Sequence, residues 1–151
     1  FKHWIPDAGW NGLSAVELIT NLKGLAVNIL EPLADQYPGF RINCAFRKQT
    51  GKSQHNSGMA CDIQYPGKTV GDEFKICQWI KNNLPYDQMI FEHGNSARIH
   101  LSFKQSGHRT DGSRVLSYKP GGWSTGKEYT TGLVLAYPEN VRVSPGGVVF
   151  A

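Results

Sequence analysis

The sequence predicts an α+β fold: two helices packed on one face of a small, mainly antiparallel sheet. Three observations carry that expectation. Apolar residues recur every three or four positions at Leu18, Leu22, Leu25, Ile29 and Leu33, and again at Phe74, Cys77 and Ile80, the period of a helix with one buried side. Over residues 40–46 and 98–103 apolar and polar residues alternate instead, the period of a strand with two unlike faces. Residues 87–92 and 98–103 flank the turn His93-Gly94-Asn95-Ser96, which reads as a pair of adjacent strands.

Taken in order, residues 1–13 hold Trp4, Pro6, Gly9, Trp10 and Gly12 without a period and read as an irregular arm. Ser14, with Glu17 three residues on, is a capping-box start for the first helix. Pro32 is expected to kink or end that helix, because proline lacks an N–H and its ring collides with the carbonyl four residues back; Pro38-Gly39 stops the segment. A half-buried strand over 40–46 would place Phe40, Ile42, Cys44 and Phe46 on one face. Polar, Gly-containing residues 47–59 read as a loop, 60–64 as a short strand, and 72–83 as the second helix. After about residue 107 only short apolar pieces remain, at 133–136 and 148–150. The expected organisation is an arm over 1–13, a domain over 14–118, and a C-terminal extension or linker over 119–151.

At 151 residues and 40% hydrophobic composition the chain has material for one real core. No apolar run approaches the ~20 residues of a membrane helix, the longest being broken by Asn28, Glu31 and Pro32, so membrane insertion is not expected. A start at Phe1 suggests an excised domain, a processed product or part of a larger polypeptide. Cys44, Cys61 and Cys77 cannot all pair and form no CxxC, which argues against a disulfide scaffold or zinc knuckle; they read as small buried apolar residues. A net charge of +4 favours an anionic partner, nucleic acid or a bacterial wall polymer. The chain lacks an Arg–aromatic stripe, a recognition helix and a finger spacing, so nucleic acid is not the expected partner.

The segment Ser53-Gln54-His55-Asn56-Ser57-Gly58-Met59-Ala60-Cys61-Asp62 carries the chemistry. In a strand beginning at Ala60, Asp62 points one way and Cys61 and Ile63 the other. In the strand around His100, Ile99, Leu101 and Phe103 form the apolar face while Arg98, His100 and Ser102 share the other. Without further structure His55 and Asp62 are equally an exposed loop histidine and a strand-start acid, and His100 an ordinary sheet histidine. If the two faces meet, His55, Asp62 and His100 make a three-ligand zinc site with a fourth position for water. Such a site needs a carboxylate to move protons, and Glu92, ending its strand one loop before His100, is the candidate; His93 and His108 are fallback proton carriers.

The pattern S-Q-H-x-x-G-x-A-x-D followed by I-H-L-S resembles the zinc peptidases related to D-alanyl-D-alanine carboxypeptidases. These include phage L-alanyl-D-glutamate endopeptidases, and their zinc site is shared with the hedgehog signalling domain. Asn28-Ile29-Leu30-Glu31-Pro32-Leu33 resembles the family's N-V-L-E-P-L, and Arg41-Ile42-Asn43-Cys44-Ala45-Phe46-Arg47 its I-S-S-G-Y-R strand. Asn83-Leu84-Pro85-Tyr86-Asp87-Gln88-Met89-Ile90-Phe91-Glu92 resembles L-P-F-D-Q-L-I-x-E, and the likeness runs in order over about residues 14–118. Where the family usually has W-[VI]-H this chain has Arg98 two before His100, and Ala97 stands where many relatives carry an acid.

The resemblance implies a hedgehog/D-Ala-D-Ala-peptidase-like fold, Zn2+ held by His55, Asp62 and His100, and Glu92 as catalytic base. It implies Arg47 and Ser53 as substrate contacts, the guanidinium suiting a peptide carboxylate. The expected activity is hydrolysis of peptidoglycan stem peptides at the bacterial cell wall or periplasmic side, by a protein that is secreted, released on host lysis or carried in a virion. The alternative is a catalytically weak or inactive wall-binding or virion structural module on the same fold.

Overall fold

The computed structural model describes residues 9–92, 98–118 and 129–135, together with the backbone of 141–144 and 147–150. Its long N-terminal helix begins at Ser14, whose side chain accepts from Glu17 N and so satisfies one of the donors that a helix start leaves open. The helix runs through α1 (Ala15–Leu25), a π-helical turn (Ala26–Leu30) and α2 (Glu31–Gln36). Leu18, Leu25, Ile29 and Leu33 are buried, as the period requires. The expected disturbance at Pro32 takes the form of that π turn rather than a stop: Glu31 N donates to Ala26 O. A wider turn eases the collision between the proline ring and the preceding carbonyls, so the helix continues.

The second helix, α3 (Val70–Asn83), starts two residues earlier than expected because Thr69 caps it. Thr69 Oγ1 accepts from Asp72 N, and Asp72 Oδ2 accepts from Thr69 N. No helix among the described residues is long and apolar enough to cross a membrane.

Six strands follow in chain order: β1 (Arg41–Cys44), β2 (Ala60–Gln64), β3 (Met89–Glu92), β4 (Arg98–Ser102), β5 (Val115–Tyr118) and β6 (Tyr129–Thr131). They form one sheet in the order β1-β2-β4-β3-β5-β6, antiparallel throughout except for the parallel pair β3 and β5. β7 (Val141–Ser144) and β8 (Gly147–Phe150) pair as a separate antiparallel hairpin. The α+β architecture with a mainly antiparallel sheet is therefore as the sequence predicts, and β6 adds a strand from beyond residue 118. The turn expected at His93-Gly94-Asn95-Ser96 lies outside the described residues, but the strands it joins pair antiparallel, with Glu92 opposite Arg98.

Alternation along these strands separates core from site. Cys61, Ile63, Met89, Phe91, Ile99 and Leu101 pack with Leu25, Ile29, Leu33, Ile76, Cys77 and Ile80 in one cluster, so both helices cover the same sheet face. Asp62, Glu92, His100 and Ser102 occupy the opposite face. At β1 the expected phase is corrected. Arg41 opposes Gln64 and Ile42 opposes Ile63, but Cys44 opposes Asp62, so Asn43 is an extra residue in a bulge. One inserted residue reverses the face of everything after it. Ile42 stays on the Ile63 face, where the edge position of β1 leaves it 51% exposed, while Cys44 joins the Asp62 face.

Candidate metal centre

His55 stands in a one-turn 3-10 helix (Gln54–Ser57) inside the expected loop. Gly58 ends that turn at φ +71°, and a side chain there would meet Leu18 O at 3.0 Å, so only glycine suits both the backbone and the close approach to α1. Asn21 Nδ2 donates to Ser57 O (2.8 Å), and Arg47 N donates to His55 O (3.0 Å). Gln54 Nε2 donates to Asp87 Oδ2 (2.8 Å). Asp87 is fully buried and also accepts from Arg109 N (2.7 Å) and Arg109 Nη2 (2.8 Å). Burial alone would push this carboxyl up, but the Arg109 and Gln54 bonds outweigh it and hold it at about 2. The histidine turn is thus tied to α1, to the chain after β1 and to the residues leading into β3.

The strand faces that carry Asp62 and His100 do meet, since the two residues are direct partners across β2 and β4. His100 Nδ1 lies 3.0 Å and His55 Nε2 3.3 Å from Asp62 Oδ1, and the two rings cross nearly edge to face with centroids 5.1 Å apart. His55 Nδ1 is 2.8 Å from Ala45 O. A carbonyl only accepts, so Nδ1 carries the proton and the Nε2 lone pair of the neutral ring faces Asp62 Oδ1, another acceptor. Two acceptors at this separation call for a proton or a cation between them. An imidazole N–H given to a backbone carbonyl is also the arrangement that orients metal-binding histidines.

Electrostatics agree. Burial would raise the Asp62 carboxyl, yet the His100 and His55 rings beside it outweigh that and hold the group well below the usual carboxylate range. Burial lowers His100, which favours its neutral, ligand-competent form. Glu92 is only 9% exposed, and among the described residues its Oε2 has no hydrogen-bond partner. Burial first, and then the Asp62 charge, push its carboxyl up to about 7. Glu92 is two residues along β3 from Ile90, which opposes His100, a diagonal step of roughly 7–8 Å on the same face. It is therefore a buried carboxyl beside the histidines.

Cys44 is the member that sequence reasoning missed. It was expected as buried apolar filler, a description that fits Cys61 and Cys77 but not this half-buried residue. Ligand atoms of Cys44, His55 and Asp62 all lie within 4.8 Å of one another, close enough to hold a metal ion. Arg47 Nε donates to Cys44 Sγ (3.1 Å) and Arg47 Nη2 to Asp62 Oδ2 (3.4 Å), so this half-exposed guanidinium touches the cluster itself as well as its rim. Ser53 is exposed, and its side chain makes no capping bond to the His55 turn. His108 is exposed, and His93 lies outside the described residues. Around the rim, Trp10 Nε1 donates to Gln49 O (2.9 Å) and Lys48 Nζ lies 5.2 Å from the Trp10 ring centroid, which anchors the basic loop. Compared with family models, curated proteins and solved structures, the chain finds no match.

Proposed function

We propose that this chain is a zinc peptidase that hydrolyses peptidoglycan stem peptides. The observation that carries the reading is the convergence of two imidazoles on one buried carboxylate oxygen, with the His55 tautomer set by Ala45 O. Such a set of nitrogen and oxygen donors suits zinc. His55 Nε2, Asp62 Oδ1 and His100 Nδ1 would hold the ion. When bound, zinc would lower the pKa of its water and polarise the scissile carbonyl.

The chain's own groups supply the rest. Glu92, with its carboxyl near 7, exchanges a proton readily at neutral pH; it takes one as the water attacks and returns it to the leaving amine. Arg47, 40% exposed at its side chain, keeps donors for a stem-peptide carboxylate, and exposed Ser53, just before the His55 turn, is the second candidate contact. The net charge of +4 suits an anionic wall polymer and hence a place of action at the bacterial wall, whether the protein is secreted, released by lysis or carried in a virion.

A second reading, a weak or inactive wall-binding or virion module, is favoured by Arg98 directly opposite Glu92 on the neighbouring strand. Digestion of purified muropeptides by zinc-loaded protein, with and without a chelator, tests both. Chelator-sensitive release of stem-peptide fragments is expected. Zinc-loaded protein without turnover would replace the first reading with the second.

A further inference from the structure

The bulge at Asn43 brings a thiol to a group of metal-binding atoms, and nothing in the proposed hydrolysis uses it. Cys44 Sγ lies within 4.8 Å of ligand atoms on both His55 and Asp62. One guanidinium spans the two anionic candidates, with Arg47 Nε on Cys44 Sγ at 3.1 Å and Arg47 Nη2 on Asp62 Oδ2 at 3.4 Å. A second observation is independent of the cysteine. Glu92, nine-tenths buried on the same sheet face, keeps Oε2 without a hydrogen-bond partner among the described residues. A buried carboxylate oxygen that no protein group satisfies points to a ligand at this place.

We propose that Cys44 is a further metal ligand, whose thiolate completes four protein ligands with His55, Asp62 and His100 and closes the centre to water at rest. The inference rests on the zinc reading above and deepens it from a site to its control. Three protein ligands leave a zinc open for catalysis, whereas four make a closed site. As the thiol binds, its proton leaves to solvent and the sulfur–metal bond forms; when the thiolate departs, water enters its place. The strand that carries Cys44 favours such release. β1 is an edge strand, paired on one side only and exposed at Arg41, Ile42 and Asn43, so it yields with little loss of pairing. Cys61 and Cys77 are buried in the core, which leaves Cys44 as the thiol a reagent can reach in the folded protein.

Co2+ loading with near-UV spectroscopy tests this in the intact chain, with iodoacetamide labelling as a readout that needs no mutation. Wild-type protein with one equivalent of Co2+ should show thiolate-to-cobalt charge-transfer absorption, and Cys44→Ser should bind the ion but lose that band. Zn2+ should slow alkylation of the single accessible thiol in the wild type. Stoichiometric Co2+ without the band, a band that survives Cys44→Ser, or alkylation indifferent to Zn2+ would overturn the inference while leaving the histidine–aspartate centre standing. Failure of the wild type to bind Co2+ would overturn the inference and the zinc reading together.

Discussion

Replacing Asp87 with alanine removes a buried carboxylate that ties the His55 turn to the sheet. In the folded protein it accepts from Arg109 N, Arg109 Nη2 and Gln54 Nε2 at 2.7–2.8 Å, and Lys104 Nζ lies 3.6 Å away. Truncation leaves the Arg109 guanidinium, 23% exposed at its side chain, without its anion, and the Gln54 amide without its acceptor. Breaking a buried pair from one side costs about 3–5 kcal/mol, and the partial exposure of Arg109 places this case near the lower end, about 3 kcal/mol. The charge linkage gives a similar size. A carboxyl held at about 2 against its ordinary 3.8 corresponds to about 2–3 kcal/mol. Because the folded value is depressed, this contribution is present in full above the unfolded value and is lost as pH falls through the folded one, between about pH 4 and 2. Urea unfolding of wild type and Asp87→Ala should show a gap of about 3 kcal/mol at neutral pH that narrows toward pH 2. The same variant loosens the turn carrying His55 and should weaken metal binding by about 10–100-fold. A neutral-pH gap under about 0.5 kcal/mol, or one that does not change on acidification, would refute the reasoning.

Glu92→Gln should keep fold and metal but lose at least ~100-fold in kcat on muropeptides. In metal-free protein the same change should stabilise the fold above pH 7 by about 1–3 kcal/mol, since a carboxyl held up to about 7 makes stability fall as pH rises from its unfolded value toward 7. Glu73, a buried carboxyl on α3 pushed up to about 7 by burial, should give the same gain as Glu73→Gln in thermal unfolding, with muropeptide turnover unchanged. Arg47→Ala breaks a half-exposed ion pair, so its stability should stay within about 1 kcal/mol of wild type while KM for the stem peptide rises. Gly58→Ala forces a side chain into the left-handed region and against Leu18 O, and should cost about 1–3 kcal/mol in denaturant titration.

The strand phases of Asp62 and His100 were legible because alternation through β2 and β4 is unbroken, and the cross-strand register then places the two residues face to face. The helices were legible from their apolar period. What escaped has physical causes. The bulge at Asn43 inserts one residue without a glycine to mark it, and the face of Cys44 depends on that insertion. The π turn before Pro32 absorbs a strain that reads in sequence as a helix stop. The link from Gln54 through Asp87 to Arg109 joins three positions outside the long helices and the strands, 33 and 22 residues apart, and such contacts leave no period to read.

Zinc stoichiometry of purified wild type, His55→Ala and His100→Ala, each checked for native secondary structure, tests the central claim most directly. The account predicts one tightly bound zinc per wild-type chain and its loss from both variants. Full zinc in either variant, or none in the wild type, would contradict it.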